Sequence, residues 1–184
     1  MSERTISEPA WLRTLRLLHW ASAVLVIGAL GLGAYMVQLV EDPAERFDLT
    51  QIHKTVGVAV LALTLARLCL RAFATAPRHA RPLLAAKAAH AGLYALLLLL
   101  PASGWLMATT TPVRVPTVVL GLFTLPYPLA PDLAMYRVAH GVHVTAAISL
   151  ALLVLVHSAA ALAHVLQGRR FLRRDAVRLG TRAR

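Results

Sequence analysis

Four apolar runs, each long enough to cross a lipid bilayer, constrain this chain more than any other feature. A membrane-spanning helix needs about 20 consecutive, predominantly apolar residues. Residues 17–40 form one such run without a charge in it. Residues 50–72 form a second, with Lys54, Arg67 and Arg71 near its two ends. Residues 88–113 are a third uncharged run, in which Pro101 and Pro112 predict a kink or an early end. Residues 138–168 are the fourth and longest. Of the 184 residues 58% are hydrophobic and 15% charged, against roughly 25% charged in a soluble domain, and the mean hydropathy is +0.66. A disordered chain, a disulfide scaffold and an ordinary soluble enzyme are thereby excluded. The first run exceeds the apolar part of a signal peptide and three more follow it, so it reads as a retained helix. The expected fold is all-α: an integral membrane four-helix bundle, one domain over 1–184, with helices about 15–40, 50–72, 87–110 and 138–168.

The charges set a direction. Lys and Arg number 19 against 8 acids, a formal net charge of +11. Such a balance suits nucleic acid only where it covers a folded soluble face. Here the basic residues sit between apolar runs. Fifteen of the 19 fall on one side: Arg4, Arg13 and Arg16; Arg67, Arg71, Arg78, Arg81 and Lys87; and seven arginines from Arg169 to Arg184. The other side holds Arg46, Lys54, Arg114 and Arg137, beside Glu41, Asp42, Glu45, Asp48 and Asp132. The positive-inside rule places both termini in the cytoplasm. The lone cysteine, Cys69, makes neither a bridge nor a CxxCH attachment site and reads as a small buried hydrophobe. The connection 109–137 is partly apolar. With Trp105, Phe123, Tyr127 and Tyr136 it reads either as a segment lying in the outer interface or as a lid over a site.

Eight histidines occur, and all but His79 fall within or at the ends of the spans. Ionisable residues at that depth are functional candidates by default, the plain alternative being helix-to-helix hydrogen bonding. The topology gives each a depth. His19 and His90 lie in the cytoplasmic leaflet, and His53 and His143 open their helices from the outer side. His143 and His157 are separated by about 21 Å of rise, close to four turns, and lie within about 40° of one face, so one helix offers a ligand at each depth. His140 is turned about 100° from His157 and is the weaker candidate. Two depth-matched pairs follow, His53 with His143 and His19 with His157. Zinc wants four ligands, and no carboxylate lies inside a span. A haem needs one or two axial ligands and an apolar slot, which paired histidines on facing helices of a bundle supply. Two b-type haems, one per leaflet, are therefore expected. Gly57 either leaves room for a ring or packs helix on helix. Arg67, about four turns beyond His53 and on nearly the same face, either pairs with a propionate of the inner haem or snorkels to the interface. Lys54 either places a positive charge beside the outer haem or anchors the helix at the interface.

The segments LHW at 18–20, QIHKTVG at 51–57, RLCLR at 67–71, HAGLYALLLLLPASG at 90–104 and HVTAAISLALLVLVHSAAALAH at 143–164 resemble, in their order and spacing, the small bacterial cytochrome b561 proteins. The resemblance covers nearly the whole chain. It implies a four-helix membrane protein with two bis-histidine haems b, and by motif position His19, His53, His143 and His157 match the axial ligands. One branch of the family looks like a superoxide oxidase, oxidising superoxide at the outer face and reducing ubiquinone near the inner haem. Carried over here, Lys54 and outer-rim arginines steer superoxide. His164, two turns beyond His157, matches a position near the quinone site, where it bonds a quinone carbonyl or relays a proton. His90 is a second candidate for that pocket and also a rival to His19 as inner ligand.

Three readings compete. One is a stand-alone oxidoreductase that needs no obligatory protein partner, only the bilayer, a quinone and superoxide. Another is a cytochrome b subunit joining a dehydrogenase or hydrogenase to the quinone pool. The third is a histidine-lined proton channel or transporter, against which the lack of intramembrane carboxylates weighs.

Overall fold

The computed structural model describes residues 10–73 and 84–181, with side chains through Gln167. Arg4, Arg78, Arg81, His79 and the side chains of the C-terminal arginines lie outside the described residues. The elements run α1 (Ala10–Gln38), α2 (Pro43–Phe73), α3 (Leu84–Thr110), β1 (Thr117–Val119), β2 (Phe123–Leu125) and α4 (Leu133–Thr181). Each helix is long and apolar enough to cross a membrane. Most of each span's surface faces outward, where Leu17, Val24, Ile52, Leu152, Leu155 and similar side chains are exposed. Outside-facing apolar side chains at this density belong against lipid.

Helix boundaries extend past the apolar runs because capping, not hydropathy, ends a helix. α2 begins at Pro43 rather than near 50. Asp42 accepts from the Ala44 N–H at 3.1 Å and the Glu45 N–H at 3.4 Å, and proline at the first helical position gives up no bond. The charged stretch 43–48, which hydropathy reads as loop, is therefore helical. α4 likewise starts at Leu133 rather than near 138, capped by Asp132 accepting from the Met135 N–H at 3.0 Å. α3 does not end early at Pro101 and continues to Thr110. Its last carbonyl is satisfied from outside, by the Asp132 N–H at 2.9 Å. Cys69 is exposed on the bundle surface, not buried. Its apolar surroundings in sequence are those of a lipid-facing helix side.

The four helices pack antiparallel, chiefly α1 on α2, α2 on α3 and α3 on α4. The start of α1 and the end of α4 thus lie toward one end of the bundle, the terminal end. The other is the hairpin end, where β1 and β2 pair antiparallel, Thr117 with Leu125 and Val119 with Phe123. The tight turn has Leu120 at φ 52° and Gly121 at φ 71°, closed by the Leu122 N–H to the Val119 carbonyl at 2.9 Å. Positive φ at both positions is a type I′ turn, whose twist suits a hairpin. The hairpin is docked on α2. Gln51 Nε2, Lys54 Nζ and Thr55 Oγ1 donate to the carbonyls of Pro116, Val115 and Val118 at 3.1, 3.4 and 3.4 Å. Trp105 Nε1 donates to the Pro126 carbonyl from α3 at 3.2 Å. The third connection thus carries an ordered hairpin docked on α2 and α3 at the hairpin end.

At mid-depth one residue from each helix closes the core: Val26, Val60, Leu97 and Leu150, all buried against one another.

Candidate functional site

Stepping seven positions from that core layer along each helix reaches both expected histidine pairs, His90 and Arg67. Toward the terminal end the steps give His19, Arg67, His90 and His157; toward the hairpin end they give Gly33, His53, Gly104 and His143. Such a step is close to two turns, so a heptad repeat keeps one face of each helix turned inward. The bundle interior is a stack of three layers, each drawing on all four helices, with imidazoles in the outer two.

In the hairpin layer, the rings of His53 and His143 have centroids 6.2 Å apart at 74°. Both glycines are needed there. A Cβ on Gly33 would stand 3.3 Å from His53 Cε1, and one on Gly104 would stand 3.2 Å from His143 Cε1. Two helices carry imidazoles and the other two supply the space they occupy. His143 is held by α3: its Nδ1 lies 3.1 Å from the Leu100 carbonyl and 3.1 Å from Ser103 Oγ, which itself donates to that carbonyl at 3.0 Å. A carbonyl only accepts, so Nδ1 carries the proton and the lone pair is left on Nε2. That is the arrangement in which a histidine ligates a metal, with its second nitrogen fixed by a backbone acceptor. His53 Nδ1 is buried without a hydrogen-bond partner. The Ala29 carbonyl acts on this ring electrostatically but stands outside hydrogen-bond geometry.

In the terminal layer, His19 and His157 have centroids 6.3 Å apart at 69°, and His90 and His157 are 5.6 Å apart. Arg67 Nη2 lies 3.3 Å from His19 Nδ1, and its guanidinium sits over the Tyr94 ring, 5.5 Å from the centroid. Arginine only donates, so here Nδ1 accepts and the ring is the opposite tautomer to His143.

The expected pairs therefore meet, and Arg67 stands beside the terminal one. Lys54 neighbours His53 in sequence and ties the hairpin down through Val115. A Cβ on Gly57 would meet nothing within 4 Å, so no helix packs on it and the space beside it is open. His164 is exposed on α4 and makes no hydrogen bond or ring contact among the described residues, so the structure does not bring it to the His157 cluster. His140 is exposed and stacks on Tyr136, 6.1 Å between centroids. Sequence reasoning missed Gly33, Ser103 and Gly104. The signal for both glycines was arithmetic: each lies about four turns beyond a histidine of its own helix, His19 and His90.

These layers suit a haem better than a metal cage. Among the described residues no three His, Cys, Asp or Glu side chains are grouped to hold an ion. Two imidazoles axial to one metal, with bonds of about 2 Å and about 1.1 Å more from nitrogen to ring centre, have centroids about 6.2 Å apart. The His53–His143 and His19–His157 spacings of 6.2 and 6.3 Å match it, whereas the 5.6 Å between His90 and His157 is short. The open space beside Gly57 is consistent with the same group.

Comparison with known proteins agrees. A family model described as prokaryotic cytochrome b561 matches residues 10–174. The protein named cytochrome b561 homolog 2, from Escherichia coli (strain K12), is 32% identical over 151 residues, covering 79% of each chain. A b-type haem and membrane electron transfer come with that family. This chain belongs to the prokaryotic cytochrome b561 family.

Proposed function

We propose that this chain holds two haems b and carries electrons across a bacterial inner membrane, from superoxide at the hairpin face to ubiquinone at the terminal face. The observation that carries the reading is the pair of imidazole couples, 6.2 and 6.3 Å between centroids, set about four turns apart along one interior face. Haem b bound at each couple supplies one-electron transfer. Two superoxide anions each lose one electron and leave as dioxygen; one ubiquinone gains both electrons and two protons and leaves as ubiquinol.

The chain's own groups divide the remaining work. His53 and His143 hold the hairpin-end group, with the Leu100 carbonyl and Ser103 fixing the His143 tautomer. His19 and His157 hold the terminal-end group. With a haem held there, Arg67 would pair with a propionate in place of His19 Nδ1, leaving His19 to ligate through Nε2. Lys54 raises the local concentration of a small anion at the hairpin rim. His90, exposed on α3 beside His157, hands protons to a quinone arriving from the bilayer, and His164, about 10 Å of rise further along α4, feeds the same surface. The excess of arginine and lysine at the terminal end supports placing that end in the cytoplasm.

The test is haem stoichiometry followed by turnover. Protein purified in detergent is expected to give two b haems per chain by pyridine hemochrome. It should also reduce a short-chain ubiquinone under a superoxide flux, and abolition of reduction by superoxide dismutase is the control. Two haems with no superoxide-dependent reduction would return the chain to service as a subunit of a larger dehydrogenase. No haem would overturn the proposal.

A further inference from the structure

The hairpin end of the bundle carries a groove that the electron path does not use. It lies between α3 and α4, has a volume of about 570 Å³, and is lined along α4 by Arg137, Gly141, Thr145 and Ser149 and along α3 by Leu96 and Leu99. His143 is not among its lining residues; these α4 positions lie on the side of the helix turned away from the haem layer. From Arg137 to Ser149 the helix rises about 18 Å, against about 15 Å for one leaflet of hydrocarbon. The stretch of α4 that lines the groove is thus about as long as one leaflet of hydrocarbon is thick.

Its one charge stands at the interfacial mouth. The other described cations of the hairpin end are engaged: Arg46 donates to the Val40 carbonyl, Lys54 to Val115 and Arg114 to Leu129. Arg137 makes no hydrogen bond or ion pair among the described residues, and no acid lines the groove. A cation at headgroup level above an apolar slot one leaflet deep complements an anionic head on an acyl chain. A second copy of the chain is a poorer occupant, because a two-fold interface puts the same patch on both sides and brings two unpaired arginines into it.

We propose that this groove binds one membrane phospholipid, its phosphate on Arg137 and an acyl chain along Gly141, Thr145 and Ser149. Gly141 gives the test its sharpest tool. A Cβ there meets nothing within 4 Å, so a side chain can be introduced at this lining position without a clash at its first atom.

Native mass spectrometry of the haem-loaded protein in detergent, titrated with dioleoylphosphatidylglycerol, reads occupancy directly. The wild-type chain is expected to retain one phospholipid. Arg137→Gln should weaken retention about five-fold, equivalent to about 1 kcal/mol for one cation at a membrane surface. Gly141→Leu should abolish retention, and both variants should keep wild-type haem absorbance, which shows them folded. Dioleoylglycerol, which has the same chains and no phosphate, should not compete. Equal retention by both variants overturns the site. So does equal competition by dioleoylglycerol, co-purification of a quinone in place of phospholipid, or a dimer that Gly141→Leu dissociates.

Discussion

Gly104→Ala is the smallest change that tests the hairpin layer. The added Cβ would stand 3.2 Å from His143 Cε1 and 3.5 Å from its Nδ1. Carbon atoms settle at about 3.5–4.0 Å, so the imidazole must retreat by about 0.3–0.8 Å or the helices must part by as much. A metal ligand tolerates about 0.2 Å. The same retreat strains the 3.1 Å bonds from Nδ1 to the Leu100 carbonyl and Ser103. Overpacking costs about 1–3 kcal/mol, offset by about 1 kcal/mol because alanine suits a helix better than glycine. The bundle should therefore lose at most about 2 kcal/mol, while the site loses a positioned ligand, worth about 10–100-fold in affinity. The assay is haem per chain during incubation with a haem-scavenging apoprotein. The variant is expected to fall from two haems toward one, the terminal-end spectrum being retained. Gly28→Ala is the control, since a Cβ there meets nothing within 4 Å. If Gly104→Ala kept both haems with wild-type loss rates, or if Gly28→Ala lost haem as fast, the assignment of the hairpin layer would be wrong.

Two further outcomes separate neighbouring residues. His19→Leu should remove the terminal-end haem, whereas His90→Leu should leave haem content intact and slow ubiquinone reduction; haem loss in His90→Leu alone would make His90 the ligand despite its 5.6 Å spacing from His157. Lys54→Gln removes one bond to the Val115 carbonyl and should cost about 1 kcal/mol or less of stability. Its rate with superoxide should fall several-fold at low ionic strength. That gap should narrow near physiological salt, where screening reaches about 8 Å, and an unchanged low-salt rate would remove Lys54 from any steering role.

What the chain discloses without coordinates follows from what a bilayer enforces. Span number and the pairing of His53 with His143 and His19 with His157 need only length, charge and a helical rise of about 1.5 Å per residue. Helix ends were less legible, because Asp42 with Pro43 and Asp132 start helices inside stretches that hydropathy reads as loop. The hairpin was hidden for another reason: its register rests on a turn with Leu120 at positive φ, where glycine or asparagine is the usual signal. Cys69 misled because apolar neighbours in sequence do not distinguish a lipid-facing side from a protein core. Ser103 has no sequence signature at all, since its role depends on which carbonyl of α3 faces His143.

The glycines show how this interior is built. A four-helix bundle normally closes each layer with four apolar side chains, and here only the central layer, Val26, Val60, Leu97 and Leu150, does so. The hairpin layer places two imidazoles against two glycines, and the terminal layer places three imidazoles with a guanidinium. Neither set is an apolar layer of that kind, and His53 keeps a buried nitrogen without a hydrogen-bond partner. An unpaired polar atom among packed side chains is costly. On the function proposed above, a flat apolar ring held between the imidazoles of each pair would complete its layer. On that reading haem binding and the final packing of the four helices would be one equilibrium, set by the heptad spacing of the histidines.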